Sequence, residues 1–145
     1  MKRIFALFLV LVSMVSCMVV AGAEDDITVT VNGSVVEFDV PPQIIKGRTM
    51  VPMRKVFEAL GARIEWIAEM QLVIATYKTT VISMRINADN FTVTDVLNGE
   101  NATKNLDVPA QIIDGRTLIP LRAVSEALGK TVEWDGSTRT AIITD

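Results

Sequence analysis

The 145-residue chain has no histidine, a single cysteine and few aromatic residues, which make up 6% of its length. Without histidine it has no imidazole base for a Ser-His or Cys-His nucleophile, and it lacks the usual nitrogen ligand for copper, zinc and non-haem iron. A lone cysteine forms neither an internal disulfide nor a thiolate cluster. The sequence therefore predicts no metal site and no cofactor.

The chain also lacks an excess of positive charge. Its 14 Lys and Arg residues stand against 17 Asp and Glu residues, which gives a net charge of −3. Proteins that bind nucleic acid normally carry a basic stripe that neutralises phosphates. We therefore expect no nucleic-acid partner.

The amino terminus has the pattern of a secretory signal peptide. Lys2 and Arg3 precede the apolar residues 4–20, and the small residues 21–23 then come before an acidic run. This order of a basic, an apolar and a small-residue region is typical of a signal peptide that is removed on export. The pattern predicts a signal peptide over residues 1–23, cleavage near Ala23, and a secreted or cell-surface protein.

Two alternatives for this segment stay open. As a helix, residues 4–20 would span roughly 26 Å against a hydrocarbon core of about 30 Å, so a retained anchor is marginal. Cys17 ends a stretch that loosely resembles a bacterial lipobox, and lipid could be attached there. Contact with a membrane is expected only if the segment is retained or Cys17 is lipidated.

The chain repeats its own sequence at an offset of 68 residues. Residues 39–54, DVPPQIIKGRTMVPMR, return as residues 107–122, DVPAQIIDGRTLIPLR. The same offset relates residues 58–61 to 126–129 (Glu-Ala-Leu-Gly) and residues 65–66 to 133–134 (Glu-Trp). Because a repeat determines the fold before any local pattern does, we predict two units, residues 24–86 and 87–145. They form either two small domains or one intertwined domain.

Each unit predicts two strands, a loop, a short helix and two or three further strands. Asn-Gly pairs at 32–33 and 98–99 indicate hairpins. The strands before the loop are predicted at residues 27–31, 35–40, 91–97 and 103–108. The class is α+β, with antiparallel β-meander sheets each packed against a short α-helix, and with an internal two-fold repeat.

The helices are predicted from apolar spacing and from their end signals. Met53, Val56, Phe57 and Leu60 recur at i, i+3, i+4 and i+7, which gives one buried stripe. In the second unit Ser125 is a polar exception to this stripe. The first helical residue is expected at Pro52 and Pro120, and left-handed C-caps at Gly61 and Gly129.

Both units resemble the copper amine oxidase amino-terminal, or stalk, domain. The shared pattern is Asn-Gly, hydrophobic-Asp-x-Pro, Ile-Ile-x-Gly-Arg-Thr, hydrophobic-Pro-hydrophobic-Arg, Glu-Ala-Leu-Gly and x-Trp, and it covers residues 27–144. The resemblance implies an antiparallel sheet curled against a helix, and an exported bacterial protein of a kind often found beside cell-wall or hydrolytic modules. Ile67 stands where the family usually has the Asp that the second unit keeps as Asp135. We therefore expect the first hairpin after the helix to turn differently.

The residues do not support a copper oxidase. By the same resemblance, such enzymes need three His ligands and a Tyr-derived quinone in a separate catalytic domain, whereas this chain has no His and only Tyr77. Paired carboxylates such as Asp39 with Asp107 lack any sign of the raised pKa that glycoside hydrolysis requires. We predict that the protein is not an enzyme and has no catalytic residues.

Eight residues are candidates for binding or for supporting the scaffold: Arg48, Arg54, Glu58, Trp66, Arg116, Arg122, Glu126 and Trp134. The arginines could clamp an anion, because guanidinium is a bidentate donor. We favour a scaffold role, in which each helix pairs its Arg with the Glu four residues on, and the loop arginines bind carbonyls or Asp39 and Asp107. The tryptophans could stack on sugars, but their alternation with charged neighbours favours packing in the core.

The sequence thus predicts an exported, non-catalytic binding or spacer module at the bacterial cell envelope. Its expected partner is a cell-wall polymer or an envelope protein. Two alternatives remain, an accessory to a cell-wall hydrolase or a weak hydrolase, and a structural homo-oligomer that assembles through sheet edges.

Overall fold

The computed structural model describes residues 26–145. The predicted signal peptide of residues 1–23 and the lipidation alternative at Cys17 lie outside the described residues. Within this range the chain forms thirteen β-strands and two α-helices. In chain order they are β1 Thr28–Val31, β2 Ser34–Val35, β3 Gln43–Ile45, β4 Arg48–Pro52, α1 Met53–Ala59, β5 Arg63–Ile67, β6 Leu72–Tyr77, β7 Thr80–Arg85, β8 Asn90–Asp95, β9 Glu100–Asn105, β10 Gln111–Ile113, β11 Arg116–Pro120, α2 Leu121–Ala127, β12 Thr131–Asp135 and β13 Thr140–Thr144.

The strands form three sheets, and the chain is mostly β-structure with two short helices, as an α+β class requires. The strand orders are β12-β13-β1-β2, β10-β11-β4-β3 and β5-β6-β7-β8-β9. Each sheet contains strands from both sequence units. The third sheet passes from β7 to β8 without interruption, and Met84 lies opposite Phe91.

One pair of neighbouring strands corrects the expectation of purely antiparallel sheets. Strands β1 and β13 are parallel, with Thr28 opposite Thr140 and Val31 opposite Ile143. These strands lie more than a hundred residues apart, so no hairpin forces an antiparallel pairing, and either direction is open to them.

The central sheet joins the two units through β4 and β11. Val51 lies opposite Ile119, and on either side of this pair Met50 faces Pro120 and Pro52 faces Leu118. Both helices follow these strands directly and pack back on them. The main core combines side chains from all three sheets and both helices, among them Val29, Val51, Val56, Phe57, Ala75, Ile82, Ile119, Leu121, Val124 and Ile143.

The segments predicted as loops before each helix are hairpins. Strands β3 and β4, and likewise β10 and β11, are joined by two-residue turns. Lys46 and Gly47 have φ values of 49° and 78°, and Asp114 and Gly115 have φ values of 50° and 73°. Positive φ at both positions defines the type I′ turn that matches strand twist. The Asp-Gly pair flanked by β-branched residues was the signal that could have predicted this hairpin.

The second strand of each unit differs from its prediction. Strand β2 ends at Val35, whereas residues 35–40 were expected to be extended. The chain leaves the sheet there because Val36 and Phe38 turn to pack on the core and the prolines that follow offer no N–H for a ladder. Strand β9 begins at Glu100 rather than at residue 103.

The helix ends confirm the glycine signals and correct the proline signals. Gly61 and Gly129 have φ values of 81° and 79°, the left-handed conformation predicted for them. Pro52 and Pro120, with ψ of 121° and 112°, are instead the last residues of β4 and β11, and the helices begin one residue later. After Ile67 a 3-10 turn of residues Ala68–Met70 replaces the plain turn that follows Asp135.

Candidate functional site

Two arginine–aspartate pairs connect the sequence units in a reciprocal way. Arg48 Nε donates to Asp107 Oδ2 at 3.0 Å, and the Nη2 atom of Arg48 binds the same oxygen. Arg116 donates to Asp39 Oδ2 from Nε at 3.0 Å and from Nη2 at 2.6 Å. In the repeated sequence Asp107 corresponds to Asp39, and Arg116 corresponds to Arg48. Each loop arginine therefore binds the aspartate of the other unit.

The Asp39 pair alters the titration of both its members. The hydrogen bond from Arg116 lowers the pKa of the Asp39 carboxyl below its ordinary value, and the bond from Asp39 raises the pKa of Arg116. Both side chains are about half exposed. The pair is therefore charged at neutral pH and accessible to solvent.

The helical arginines differ between the two units. Arg122 Nη1 donates to the carbonyl oxygen of Val132 at 2.8 Å and lies 3.3 Å from Glu126 Oε1. The predicted pairing at i, i+4 is thus present in α2. Within residues 26–145, the side chain of Arg54 has no hydrogen bond or ion pair to Glu58.

The two tryptophans also differ, and one corrects its prediction. Trp66 is partly buried and packs on the main core, as expected. Trp134 is 40% exposed, although core packing was predicted for it. The residue after the next is Gly136, whose missing Cβ would lie 3.6 Å from Trp134 Nε1, whereas the first unit has Ala68 at the equivalent position.

These side chains gather into two surface grooves. We call the larger one, of about 570 Å³, the Trp134 groove; its walls include Arg48, Asp107, Arg122, Glu126 and Trp134. We call the smaller one, of about 360 Å³, the Trp66 groove; its walls include Asp39, Arg54, Lys55, Trp66 and Arg116. Of the eight candidate residues, Glu58 is the one that lines neither groove. The structure thus divides the other seven between two places built from corresponding parts of the repeat.

The grooves differ in charge. The Trp134 groove balances three arginines against three carboxylates, since Arg139 and Glu133 also line it. The Trp66 groove has Arg54, Lys55 and Arg116 against Asp39 alone, so positive charge is in excess. Sequence reasoning did not single out Lys55, Glu133 and Arg139. Glu133 belongs to the repeated Glu-Trp pair and could have been found there, whereas Lys55 and Arg139 carry no repeated signal.

A separate polar cluster around Lys130 was not foreseen from the sequence. The Lys130 side chain is 7% exposed; it donates to Tyr77 Oη at 2.9 Å and forms an ion pair with Asp145. The bond to Asp145 raises the pKa of Lys130, and the bond from Lys130 lowers the pKa of both Asp145 and Tyr77. This cluster ties β6 to the residues after α2 and β13, which is a structural role.

The carboxyl groups whose titration is shifted do not have the character of a general acid. The pKa values of Asp39, Asp135 and Asp145 are all lowered, in each case chiefly by a side-chain hydrogen bond. A general acid near neutral pH needs the opposite shift. In the described part of the chain, no three acidic side chains converge on a point where a metal ion could bind. Across residues 26–145, neither helix has the length and apolarity needed to cross a bilayer.

The fold is that of a small α+β domain with two surface grooves. The sequence profile of the copper amine oxidase N-terminal domain matches residues 30–143, so the chain belongs to that family. The family is one of non-catalytic domains. Among curated proteins, no sequence matches this chain significantly.

Proposed function

We propose that this protein is an exported, non-catalytic module that binds cell-wall polymer at the bacterial cell envelope through the Trp134 groove. The observation that carries the proposal is the 40% exposed indole of Trp134 beside the guanidinium groups of Arg48 and Arg122. An exposed aromatic face suits the apolar face of a sugar ring, and guanidinium suits a carboxylate. A wall polymer of amino sugars and short acidic peptides offers both.

The repeat is part of the proposal. We infer that residues 24–86 and 87–145 are two copies of one unit that form a single intertwined domain. Support comes from the reciprocal pairs Arg48 with Asp107 and Arg116 with Asp39, and from the pairing of β1 with β13. On this basis the Trp66 groove is the weaker second copy of the binding surface, because its indole is largely covered.

Export rests on the amino-terminal pattern. Lys2 and Arg3, the apolar run and the small residues up to Ala23 support a cleaved signal peptide and a secreted or cell-surface location. We expect contact with a membrane only if the amino-terminal segment is retained or Cys17 is lipidated. Mass spectrometry of the protein recovered from the medium and from the membrane fraction of a bacterial host distinguishes the three forms by the first residue and any attached lipid.

Two other functions compete with wall binding. A spacer that contacts an envelope protein would use the same exposed surfaces. A hydrolase would need a carboxyl group with a raised pKa in a groove. In the Trp66 groove the hydrogen bond from Arg116 instead lowers the pKa of Asp39.

Co-sedimentation with isolated cell-wall sacculi tests the proposal. Protein expressed from the full chain should bind saturably, and Trp134→Ala should weaken binding about tenfold, since an aromatic contact is worth about 1 kcal/mol or more. Trp134→Phe keeps an aromatic face and should retain most of the binding. Trp66→Ala is the matched control in the other groove and should bind nearly as tightly as the parent chain.

A salt series separates the contributions to binding. If Arg48 and Arg122 contact carboxylates of the polymer, binding weakens as salt screens them. Arg122→Ala separates this contact from the scaffold role of Arg122: if Arg122 contacts the polymer, the folded variant binds more weakly, whereas a purely scaffold role would lower stability without a selective loss of binding. Arg54→Ala is the matched control in the other groove. Absence of saturable binding to sacculi at low salt would refute the proposed function.

A further inference from the structure

Strand β9 is the longest open edge in the structure. It lies at the end of the five-stranded sheet, where β8 is its one neighbour, and all six of its side chains are exposed. Among the outer strands of the three sheets within residues 26–145, β5 and β12 have five residues and β2, β3 and β10 have two or three. An edge of this length presents a row of main-chain groups to which another strand can bind.

The next longest edges are partly covered, whereas β9 is not. The carbonyl oxygen of Val132 in β12 already accepts a hydrogen bond from Arg122. Helices α1 and α2 pack against β5 and β12. Strand β9 has no comparable packing against either helix, and all six of its side chains are exposed.

The register of β8 and β9 shows which main-chain groups point outward. The N–H of Leu106 donates to the carbonyl of Asp89, and this pair continues the ladder in which Phe91 lies opposite Lys104. Hydrogen-bonded pairs alternate along an antiparallel ladder, so Glu100, Ala102 and Lys104 bond inward to β8. The N–H and C=O groups of Asn101, Thr103 and Asn105 therefore face away from the sheet.

We propose that β9 pairs with β9 of a second copy of this chain, antiparallel and about a two-fold axis at Ala102. In this register the outward groups of Asn101 meet those of Thr103 in the second copy, which satisfies the hydrogen-bond alternation. Glu100 then lies directly opposite Lys104 of the second copy, and the symmetry repeats this ion pair. The interface is isologous and closed, so it yields a dimer and not a filament.

Charge selects this register over its nearest competitor. A shift that places Thr103 opposite itself also keeps the outward groups aligned, but it sets Lys104 opposite Ala102 and loses both ion pairs. Opposite charges directly across a strand pair are stabilising, and like charges there are destabilising. The self-complementary order of Glu100 and Lys104 on one face of β9 is therefore the feature that identifies a second copy as the partner.

The loop between β8 and β9 adds apolar surface to the contact. Val96 and Leu97 are 58% and 81% exposed. In the proposed register this loop extends beyond Glu100 and lies beside the residues that follow Asn105 in the second copy. Pairing of the strands would cover part of this surface. The proposal does not depend on binding to cell wall, because β9 contributes only Asn105 to the Trp134 groove.

Reversal of single charges tests the register. In sedimentation velocity over a concentration series, protein from the full chain should show a reversible monomer–dimer equilibrium. Glu100→Lys and Lys104→Glu should each weaken self-association about 30-fold, because each variant replaces two attractive pairs by two repulsive ones. An equimolar mixture of the two variants should form a heterodimer, since both cross-strand pairs are then attractive again. A parent chain that stays monomeric, or a mixture that associates no better than its components, would overturn the proposal.

A proline tests the strand pairing itself. Thr103→Pro removes an outward N–H and leaves the bonds to β8 intact, and prolines are tolerated on edge strands when the missing N–H faces solvent. This variant should remain folded by circular dichroism and lose the dimer. Thr103→Val is the matched control, because it keeps the N–H and should dimerise as the parent does. Dimerisation of folded Thr103→Pro at parental strength would exclude pairing through β9.

Discussion

The Trp66 groove and the Trp134 groove are built from corresponding residues, yet they hold their side chains differently. Trp66 is partly buried and packs on the core, while Trp134 is 40% exposed. Arg122 binds the Val132 carbonyl, while Arg54 has no comparable bond within the described residues. The residues that follow the two tryptophans also differ: Ala68–Met70 form a 3-10 turn in the first unit, whereas a plain turn follows Asp135 in the second. The comparison shows that corresponding residues of a repeated motif can line corresponding grooves and still differ in exposure and in hydrogen bonding.

The helices show the same contrast inside the core. Phe57 in α1 is 1% exposed, and the corresponding residue of α2 is Ser125, which is completely buried. The Ser125 hydroxyl has no hydrogen-bond partner in the described part of the chain. One unit thus contributes a large apolar side chain where the other contributes a small polar one, and both side chains are buried in the same core.

The largest expected change in stability tests the contrast between Phe57 in α1 and Ser125 in α2. Phe57→Ala should lower the free energy of unfolding by about 3 to 5 kcal/mol, because it removes a fully buried ring and leaves a cavity. Ser125→Ala, at the matching position, should leave stability unchanged or raise it by about 1 kcal/mol, because it removes a buried unpaired hydroxyl. Urea denaturation followed by circular dichroism measures both. A loss of stability in Ser125→Ala would show that the hydroxyl has a partner.

The next largest change in stability is expected for substitution of the two tryptophans. Trp66→Ala should lower the free energy of unfolding by about 2 kcal/mol, because part of the indole leaves an apolar contact. Trp134→Ala should lower it by less, about 1 kcal/mol, since 40% of that residue is already exposed to water. The same denaturation curves provide the measurement. Equal losses would mean that the two indoles are equally buried in solution, and the contrast between the grooves would fail.

Substitution of the helical arginines Arg54 and Arg122 should give a smaller difference in stability between the two units. Arg122→Ala should lower the free energy of unfolding by about 1 kcal/mol, because the Val132 carbonyl loses its donor. Arg54→Ala should change it by less than about 0.5 kcal/mol, as is usual for surface substitutions without such a bond. Arg122→Lys serves as a control that keeps the charge and loses the guanidinium geometry. If Arg54→Ala proved the more damaging variant, the assignment of the bond to α2 would be wrong.

The smallest expected effect is on the stability of the protein at acid pH, through the pair of Asp39 and Arg116. Arg116 lowers the pKa of Asp39 in the folded state, so the folded carboxylate is stabilised relative to the unfolded one. This contribution is present above the ordinary Asp pKa of about 4 and is lost as the pH falls through the folded value. Asp39→Asn should therefore flatten the decline of the urea midpoint between neutral pH and pH values below about 4. Asp26→Asn removes the same charge outside the grooves and controls for net charge. A decline as steep in Asp39→Asn as in the parent chain would contradict the role of this pair.

Much of the local structure could be predicted because its causes are local. The hairpin at Asn32-Gly33, the helical stripe from Met53 onward and the left-handed caps at Gly61 and Gly129 each follow from the preferences of a few adjacent residues. The hairpins β3-β4 and β10-β11 were not predicted. The turn of β10-β11 carries the hairpin signal Asp114-Gly115, but the corresponding turn of β3-β4 is Lys46-Gly47, which is not such a signal. The exposure of Trp134 had no comparable local signal, since alternation within β12 places it on the same face as the buried Val132.

The candidate site was predictable in its composition but not in its arrangement. Seven of the eight residues singled out from the sequence line one groove or the other, because the repeated motif that contains them also builds the groove walls. The sequence left open whether the loop arginines bind carbonyls or aspartates, and it did not assign partners across the units. Those contacts depend on strands that meet only after the chain has folded.

By itself the sequence determined the membership of residues 30–143 in the copper amine oxidase N-terminal domain family, the two helices to within a residue, and the turn at Asn32-Gly33, because these depend on short stretches of residues. Only the tertiary structure decided that β1 pairs with β13, that Arg48 reaches Asp107 and Arg116 reaches Asp39, and that Trp134 stays open to solvent. The physical reason is that long-range strand pairing gains its free energy from burial and side-chain packing across the whole domain, and no local propensity encodes which distant partner provides it.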